Sequence, residues 1–255
     1  MDRILVMAVI VTYLSFPLHA RLESKDKSVL LDELYRNAQM ENQLSWLRDG
    51  LMLEKNAYAL PAEVVNTVNR IVSVRYSSDY YQQSMLSSLG ADLSIGDLLE
   101  LTNWYDSPLG QKIIRLEMMA NDPTNKSRVQ AYIDEHLSVK LPRSERVLLV
   151  EQLIEALDAV NSSAELSAGI SVRAQKLLQV VMPEPDHKQE MTDKIQIGLE
   201  EPLIREQLQK QIRQLFLYTY RSLSDDELKS YLDFARSSTM QHFQRSQVHS
   251  LVQLL

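Results

Sequence analysis

The sequence predicts an all-α protein in which two related multi-helix repeats pack into one helical array or bundle. Three observations lead to this prediction. Only 6 of the 255 residues are glycine, and the 8 prolines lie mostly at the boundaries of apparent segments. Apolar residues recur at intervals of three and four, which is the period of an amphipathic helix. A segment near residue 100 also returns, in altered form, 130 residues later.

Six helices are predicted in the first half of the protein, which covers residues 21–121. They begin near Ser28 and end near Ala120, at about 28–38, 43–58, 61–75, 76–89, 94–105 and 107–120. The third segment is rich in valine, but its apolar stripe has helical period. Pro61 suits the first position of that helix, and Gly90 is expected to end the fourth.

The second half is predicted to cover residues 143–255, after a connecting segment at 122–142 that contains a short helix. The turn-forming residues at 121–125 separate the two halves. Further helices are expected at about 126–138, 147–160 and 164–181, from Pro202, and from 238 to the end. A loop is expected at 182–186. The whole protein should therefore contain eleven or twelve helices.

One segment occurs twice, at 93–112 and again at 223–242. In register, the two copies share leucine, serine, aromatic and acidic positions. The residues of this structural signature are Ser94, Asp97, Leu98, Trp104, Tyr105, Ser107, Pro108, Gly110 and Gln111 in the first copy, and Ser224, Glu227, Leu228, Phe234, Ser237 and Gln241 in the second. The sequence VLLDELY at 29–35 similarly returns as VLLVEQL at 147–153.

The signature is interpreted as a helix–turn–helix joint rather than as a chemical site. In each copy a serine precedes an acid by three residues, which is the spacing of a capping box. Ser107 and Ser237 are the expected N-caps of the following helices, and Pro108 suits a first helical position. Trp104 and Tyr105 lie near the apolar stripe of their helix and are predicted to pack in the core. The alternative is an exposed aromatic binding patch.

The first twenty residues have the pattern of a secretory signal peptide. Arg3 supplies a positive charge, Ile4–Phe16 is almost entirely apolar, and Ala20 is a small residue at a plausible cleavage point. The apolar run is shorter than the roughly 20 residues that span a bilayer. We therefore expect cleavage after Ala20, a periplasmic location and no integral membrane segment, with an uncleaved anchor as the alternative. The protein has no cysteine, which excludes disulfides and a lipid-modified cysteine.

Trp104, Tyr105 and the Ser-Pro-x-Gly-Gln-Lys run that begins at Ser107 resemble the recurring motif of a bacterial family of exported helical proteins, domain of unknown function 2059. The second copy keeps Phe234 and Gln241 but has no proline, glycine or lysine at the matching positions. The resemblance implies a periplasmic, all-helical protein from a Gram-negative bacterium. It implies no activity and no catalytic residues, because the family has none assigned.

Composition and motifs argue against several functional classes. The net charge of −7 is spread evenly, so the basic surface of a nucleic-acid-binding protein is missing. The histidines beyond residue 20 are not accompanied by an HExxH motif or by clustered carboxylates, and no metal site is predicted; they are His136, His187, His242 and His249. No nucleophile elbow, phosphate-binding loop or dinucleotide fingerprint occurs, so neither a catalytic residue nor a cofactor is predicted.

Two functional hypotheses remain. The first is a non-catalytic periplasmic binding or interaction protein that uses a groove between its halves for a peptide, a lipid or an envelope protein. The alternative is an envelope hydrolase or metal-dependent enzyme whose site is assembled from scattered residues. Histidines and carboxylates that converge in a cleft would favour the enzyme, whereas an apolar groove would favour the binding protein.

Overall fold

The computed structural model describes residues 26–52, 61–181 and 202–255, with the backbone alone for residues 202–204. In these ranges it contains twelve α-helices and no strand, which confirms the predicted all-α fold. The helices are α1 (Lys27–Asn37), α2 (Glu41–Leu51), α3 (Ala62–Arg75), α4 (Ser78–Asp92), α5 (Ile95–Asp106), α6 (Pro108–Asn121), α7 (Lys126–Tyr132), α8 (Ser144–Ala156), α9 (Ala159–Val181), α10 (Pro202–Thr219), α11 (Asp225–Ala235) and α12 (Ser238–Leu254). The predicted signal peptide, the predicted loop at 182–186 and His187 lie outside the described ranges.

An aspartate side chain caps the start of two helical segments that lie near predicted boundaries. The carboxylate of Asp26 accepts the backbone N–H of Ser28 at 3.2 Å at the start of α1. Asp122 accepts the backbone N–H of Thr124 at 2.8 Å, and a 3₁₀ turn at Pro123–Asn125 follows it. The chain thus leaves α6 through the turn that the composition of 121–125 predicts.

Three predicted boundaries in the first half are displaced. The helix expected at 43–58 is α2, which ends at Leu51 with Met52 in an extended conformation, and residues 53–60 lie outside the described ranges. Pro61 is the N-cap of α3 rather than its first helical residue. The helix α4 continues past Gly90 to Asp92, and Gly90 has no positive φ. A Cβ at Gly90 would lie 3.0 Å from Leu31 Cδ1, so this glycine lets α4 pack closely on α1 instead of ending the helix.

Two differences concern the helices that surround the start of the second half. The short helix expected at 126–138 is α7 followed by a π-helical turn at Ile133–Leu137. The helix expected through residue 160 ends at Ala156, and α9 begins at Ala159. Asp158 between them has a φ of +44°, a left-handed conformation that interrupts the helix although the apolar pattern continues.

The two halves share one hydrophobic core. Within the halves, α1 packs on α5 and α8 packs on α11. Across the halves, α6 packs on α10 and α12 packs on α4, while α9 contacts α2 and α3. The halves therefore form one bundle, although their origin as an internal repeat stays a prediction. Among the described helices, none combines the length and the apolar character needed to cross a membrane.

Candidate functional site

The two signature segments contain the capping boxes that their spacing predicts. At the start of α5, Ser94 Oγ accepts the backbone N–H of Asp97 at 3.1 Å, and the carboxylate of Asp97 accepts the backbone N–H of Ser94 at 2.9 Å. At the start of α11, Ser224 and Glu227 form the same two bonds at 3.1 and 2.8 Å. These four residues satisfy backbone N–H groups that the first helical turn leaves unpaired.

Each segment then turns into its second helix at a serine. Ser107 Oγ accepts the backbone N–H of Gly110 at 3.0 Å, and Ser237 Oγ accepts that of Met240 at 3.1 Å. Pro108 occupies the first position of α6. We name residues 104–112 the first joint and residues 234–242 the second joint. The two serines are N-caps, which accounts for their occurrence in both copies.

A glutamine side chain closes each joint. Gln111 donates through Nε2 to the carbonyl of Tyr105 at 2.6 Å, and Gln241 donates to the carbonyl of Ala235 at 2.8 Å. Gln241 also bonds the carbonyl of Ala156 at the end of α8. Both carbonyls belong to the last turn of a helix, where they lack an intrahelical partner. The glutamines therefore have the same structural role in the two copies.

The two joints lie against each other. The Trp104 and Phe234 rings, which occupy the same position in the two copies, are stacked with centroids 4.1 Å apart and planes inclined by 14°. Trp104 also stacks on Tyr231, with centroids 6.1 Å apart. Tyr105 is buried and meets Phe243 edge to face at 6.2 Å. The aromatic residues of the signature thus join the halves and do not form an exposed patch.

Charged residues of one half pair with charged residues of the other half around the aromatic stack. Lys112 Nζ lies 2.7 and 2.9 Å from the two carboxylate oxygens of Glu227. His242 Nδ1 lies 3.7 Å from Asp97 Oδ2. Lys112 and His242 occupy the same position of the two copies, as do Asp97 and Glu227. Each capping-box acid therefore contacts the basic residue in the joint of the other half.

From the sequence, the second copy was described as lacking an equivalent of Lys112, and His242 was not identified as its counterpart. The signal was present, because the two residues are 130 positions apart and both side chains can carry a positive charge. Their contacts with Asp97 and Glu227 could not be read from the sequence. Those contacts depend on how the halves pack.

A carboxylate and two tyrosines form a polar cluster between α6 and the second half. Glu117 Oε1 accepts hydrogen bonds from the hydroxyls of Tyr220 at 2.7 Å and Tyr231 at 3.1 Å. Burial raises the pKa of Glu117, although the two hydrogen bonds oppose the shift. Burial and then the charge of Glu117 raise the pKa of both tyrosines well above the usual value, so both remain donors. The sequence did not reveal this cluster, because Tyr220 and Tyr231 follow Glu117 by 103 and 114 residues.

An open cleft of about 480 Å³ lies between α2 and α6, next to the Glu117 cluster. Its apolar walls include Trp46, whose exposed fraction is 49%, and Met118 and Ile114 from α6. Glu117 and Asp49 are among its polar lining residues. We name this the α2–α6 cleft. It lies within the first half rather than between the halves, where the groove was expected.

A second cleft, of about 660 Å³, is lined by residues of both halves. Its lining is mainly polar and includes Arg245, His249 and four carboxylates, which belong to Asp92, Glu155, Asp158 and Glu165. In the described ranges, however, no three histidine or acidic side chains are placed to hold a metal ion. The cleft between the halves therefore lacks both the apolar walls of the expected groove and a built metal site.

No protein-family model matches the chain, and neither a curated protein nor a solved structure shows significant similarity to it. The resemblance to domain of unknown function 2059 consequently stays a prediction. Of the two clefts described above, the α2–α6 cleft is the more apolar.

Proposed function

We propose that this chain is an exported protein of the bacterial envelope that binds a peptide segment in the α2–α6 cleft without catalysing a reaction. The half-exposed Trp46 is the observation that carries the proposal. Tryptophan is enriched at the centres of binding surfaces because it offers a large, rigid contact area with a polar edge. Here it stands at a cleft instead of in the core.

The walls of the cleft are suited to an apolar side chain. Trp46 faces the opening between α2 and α6, with Met118 and Ile114 on the other side. Methionine adapts its shape to different occupants, which is useful in a peptide-binding groove. Asn42 and Gln43 supply amide groups that can bond the backbone of an extended peptide.

The charge of the cleft specifies the peptide further. Asp49, Glu117 and Asp122 line it, and none of the described residues in its lining is basic. An occupant that carries lysine or arginine beside an apolar residue would meet both the carboxylates and the indole face of Trp46. The chemistry therefore favours a basic, partly apolar peptide over an acidic one.

Fluorescence anisotropy with labelled octapeptides tests the proposal. One set carries arginine next to leucine at the centre, and a matched set carries glutamate in place of arginine. We expect the basic set to bind, and Trp46→Ala to weaken binding at least tenfold, which corresponds to about 1.4 kcal/mol. Tyr80→Ala is the matched control, because Tyr80 is equally exposed at 49% and does not line the cleft.

Equal binding of the basic and acidic sets would overturn the assignment of the ligand. Unchanged binding in Trp46→Ala would overturn the assignment of the cleft. Thermal melts of both variants should remain close to those of the original protein, because exposed substitutions usually change stability by less than about 0.5 kcal/mol.

Export is proposed from the first twenty residues, where Arg3, the apolar run Ile4–Phe16 and Ala20 follow the order of a signal peptide. Expression of the full sequence in a Gram-negative host, followed by osmotic release and N-terminal sequencing, tests it. The released protein should begin at Arg21. Recovery of a chain that still begins at Met1 from the membrane fraction would favour the uncleaved anchor.

The alternative of an enzyme has one observation in its favour, which is the raised pKa of Glu117 beside the cleft. Both tyrosines donate to this carboxylate, and Gln at position 117 can accept the same bonds. Glu117→Gln should therefore retain folding and weaken binding of the basic octapeptides only in part, because Asp49 and Asp122 keep their charges. If the protein hydrolyses the basic octapeptides and Glu117→Gln abolishes the hydrolysis, the non-catalytic proposal is wrong.

A further inference from the structure

Three arginines line a pocket of about 630 Å³ formed by the second half and the connecting segment, and this pocket shares no lining residue with the α2–α6 cleft. Arg143 precedes α8, Arg146 lies in its first turn, and Arg221 follows α10. Asp225 is the only acidic residue among the described residues of its lining. Three positive charges against one negative charge leave two in excess, in a protein whose net charge is −7.

The arginines are held in place by their surroundings. Arg143 and Arg146 donate to the two carboxylate oxygens of Asp225 at 2.8 and 2.7 Å. The guanidinium of Arg221 lies 3.8 Å from the ring centroid of Tyr218 and donates to the carbonyl of Tyr218 at 2.6 Å. A guanidinium has five N–H donors, so these contacts leave donors for a further anion. Stacking on the ring also fixes the plane of Arg221, which lowers the entropy cost of binding.

Two exposed apolar side chains come just before Pro142 and Arg143 of the pocket wall in the chain. The exposed fraction is 79% for Val139 and 47% for Leu141, in a loop that leads directly into Pro142 and Arg143 of the pocket wall. The loop follows the π-helical turn at Ile133–Leu137. Such turns are rare and occur frequently at functional sites. Here the turn directly follows Tyr132, another lining residue, at the end of α7.

We propose that this pocket binds an anionic phospholipid, with the phosphate group between Arg143 and Arg221 and an acyl chain against Val139 and Leu141. Arginine suits a phosphate because its planar fork can donate two parallel hydrogen bonds to phosphate oxygens. The adjacent apolar loop distinguishes a lipid from a soluble phosphate, which would gain nothing from Val139 and Leu141. Asp225 pairs with both Arg143 and Arg146 and so offsets part of the repulsion between them. Its negative charge also disfavours the binding of a second anion.

Isothermal titration calorimetry with dihexanoyl phosphatidylglycerol, kept below its micelle concentration, tests the proposal on the full chain. A soluble lipid is preferable to vesicles, because the apolar residues 4–16 could bind a bilayer by themselves. Dihexanoyl phosphatidylcholine has the same chains and no net charge, and inorganic phosphate has the charge and no chains. We expect the phosphatidylglycerol to bind at least tenfold more tightly than either.

Two pairs of variants locate the site. Arg143 has a largely exposed side chain, and Arg143→Gln should weaken lipid binding at least tenfold. The control is Arg213, a partly exposed arginine on α10 that pairs with Glu151, and Arg213→Gln should leave lipid binding unchanged. Val139→Ser with Leu141→Ser should weaken binding as strongly. Val74→Ser with Val180→Ser is the control at comparably exposed positions elsewhere.

Equal affinity for the two lipids, or an unchanged affinity in Arg143→Gln, would overturn the proposal. Tight binding of inorganic phosphate that survives the Val139 and Leu141 substitutions would show a site for a soluble phosphate, and the lipid assignment would then be wrong. None of these results bears on the peptide site proposed in the α2–α6 cleft, because the octapeptide assay measures binding at a different surface.

Discussion

The first and second joints have the same backbone design, although only a serine and a glutamine are identical among their nine positions. In both, a serine caps the second helix and a glutamine bonds the last turn of the first helix. Pro108, Gly110 and Lys112 occur in the first joint, where the second joint has Ser238, Met240 and His242. The serine and the glutamine make the same hydrogen bonds in both turns, and among the residues that differ Gly110 changes how closely the two helices of the joint approach.

Gly110 illustrates this adjustment most clearly. A Cβ at this position would lie 2.1 Å from the carbonyl oxygen of Trp104, far inside van der Waals contact. Met240 carries a Cβ at the matching position, so the second joint must leave more space between its helices. The closer approach in the first joint accompanies the stacking of Trp104 on Phe234 and Tyr231.

The largest expected effect comes from removing the aromatic contact. Trp104→Ala should lower the free energy of unfolding by about 3 kcal/mol, because a large partly buried ring leaves a cavity. Phe234→Ala should cost less, since Phe234 is the smaller ring. In a double-mutant cycle measured by urea unfolding, the two substitutions should couple by about 1 kcal/mol. Additive losses would contradict the stacked arrangement.

Gly110→Ala should come next, with a loss of about 2 kcal/mol, because the new Cβ forces the backbone of the first joint apart. Gly96→Ala is the matched control, since a Cβ there meets only Ser94 Oγ at 3.6 Å and alanine favours the helix. Differential scanning calorimetry should show a lower Tm for the first variant and an equal or higher Tm for the second. Equal behaviour of the two glycines would refute the close approach.

Loss of the N-caps should have a smaller effect. Ser107→Ala and Ser237→Ala should each reduce stability by about 1 kcal/mol, because each leaves a helical N–H unpaired. Ser107 should cost more, since its hydroxyl also donates to the carbonyl of Trp104 at 2.6 Å. Chemical denaturation of both variants and of the threonine replacements checks this, because threonine keeps the hydroxyl and should restore most of the stability.

The smallest effects concern the two ion pairs between the halves. Lys112→Gln should cost up to about 1 kcal/mol and His242→Gln less, because both pairs are partly exposed and the second is longer. The hydrogen bond from Lys112, and then that from the Ser224 backbone, lower the pKa of Glu227. Burial opposes a similar shift at Asp97, but hydrogen bonds from Ser94 and the charge of His242 lower its pKa.

The sign of the pH dependence follows from these shifts. A carboxylate with a lowered pKa contributes stability above its unfolded pKa, and this contribution is lost as the pH falls through the lowered value. Lys112→Gln should therefore lose less stability on acidification below about pH 4.5 than the original protein. Thermal melts between about pH 3 and pH 7 measure this. An unchanged acid profile would mean that Lys112 does not set the pKa of Glu227.

Features that depend on neighbours within a few residues could be predicted from the sequence. The capping boxes at Ser94 and Ser224 and the N-caps at Ser107 and Ser237 are of this kind, because the cap and its N–H lie within one turn. The helix breaks were less accessible. At Asp158 the apolar period continues through a left-handed residue, so the period does not reveal the stop.

Features that depend on contacts between the halves could not be predicted. Glu117 looks like an ordinary helix-surface glutamate, and its two tyrosines follow more than 100 residues later. Trp46 lies off the apolar stripe of α2 formed by Leu44 and Leu47, and its position at a cleft with α6 depends on packing that the sequence does not show. The arginines of the pocket are likewise separated by 75 residues between Arg146 and Arg221. Periodicity identifies faces of helices but not what those faces meet.

The exchanged ion pairs and the stacked rings have the form of an isologous contact, in which the same patch is used on both sides, as in a two-fold dimer. Here both patches belong to one polypeptide, and the connecting segment at 122–142 joins the halves that carry them. The connection gives each patch a high effective concentration of the other, so the contact needs no second molecule. Its strength should consequently not depend on protein concentration. The Tm of the chain should be the same in dilute and in concentrated solution, as it would not be for two separate halves.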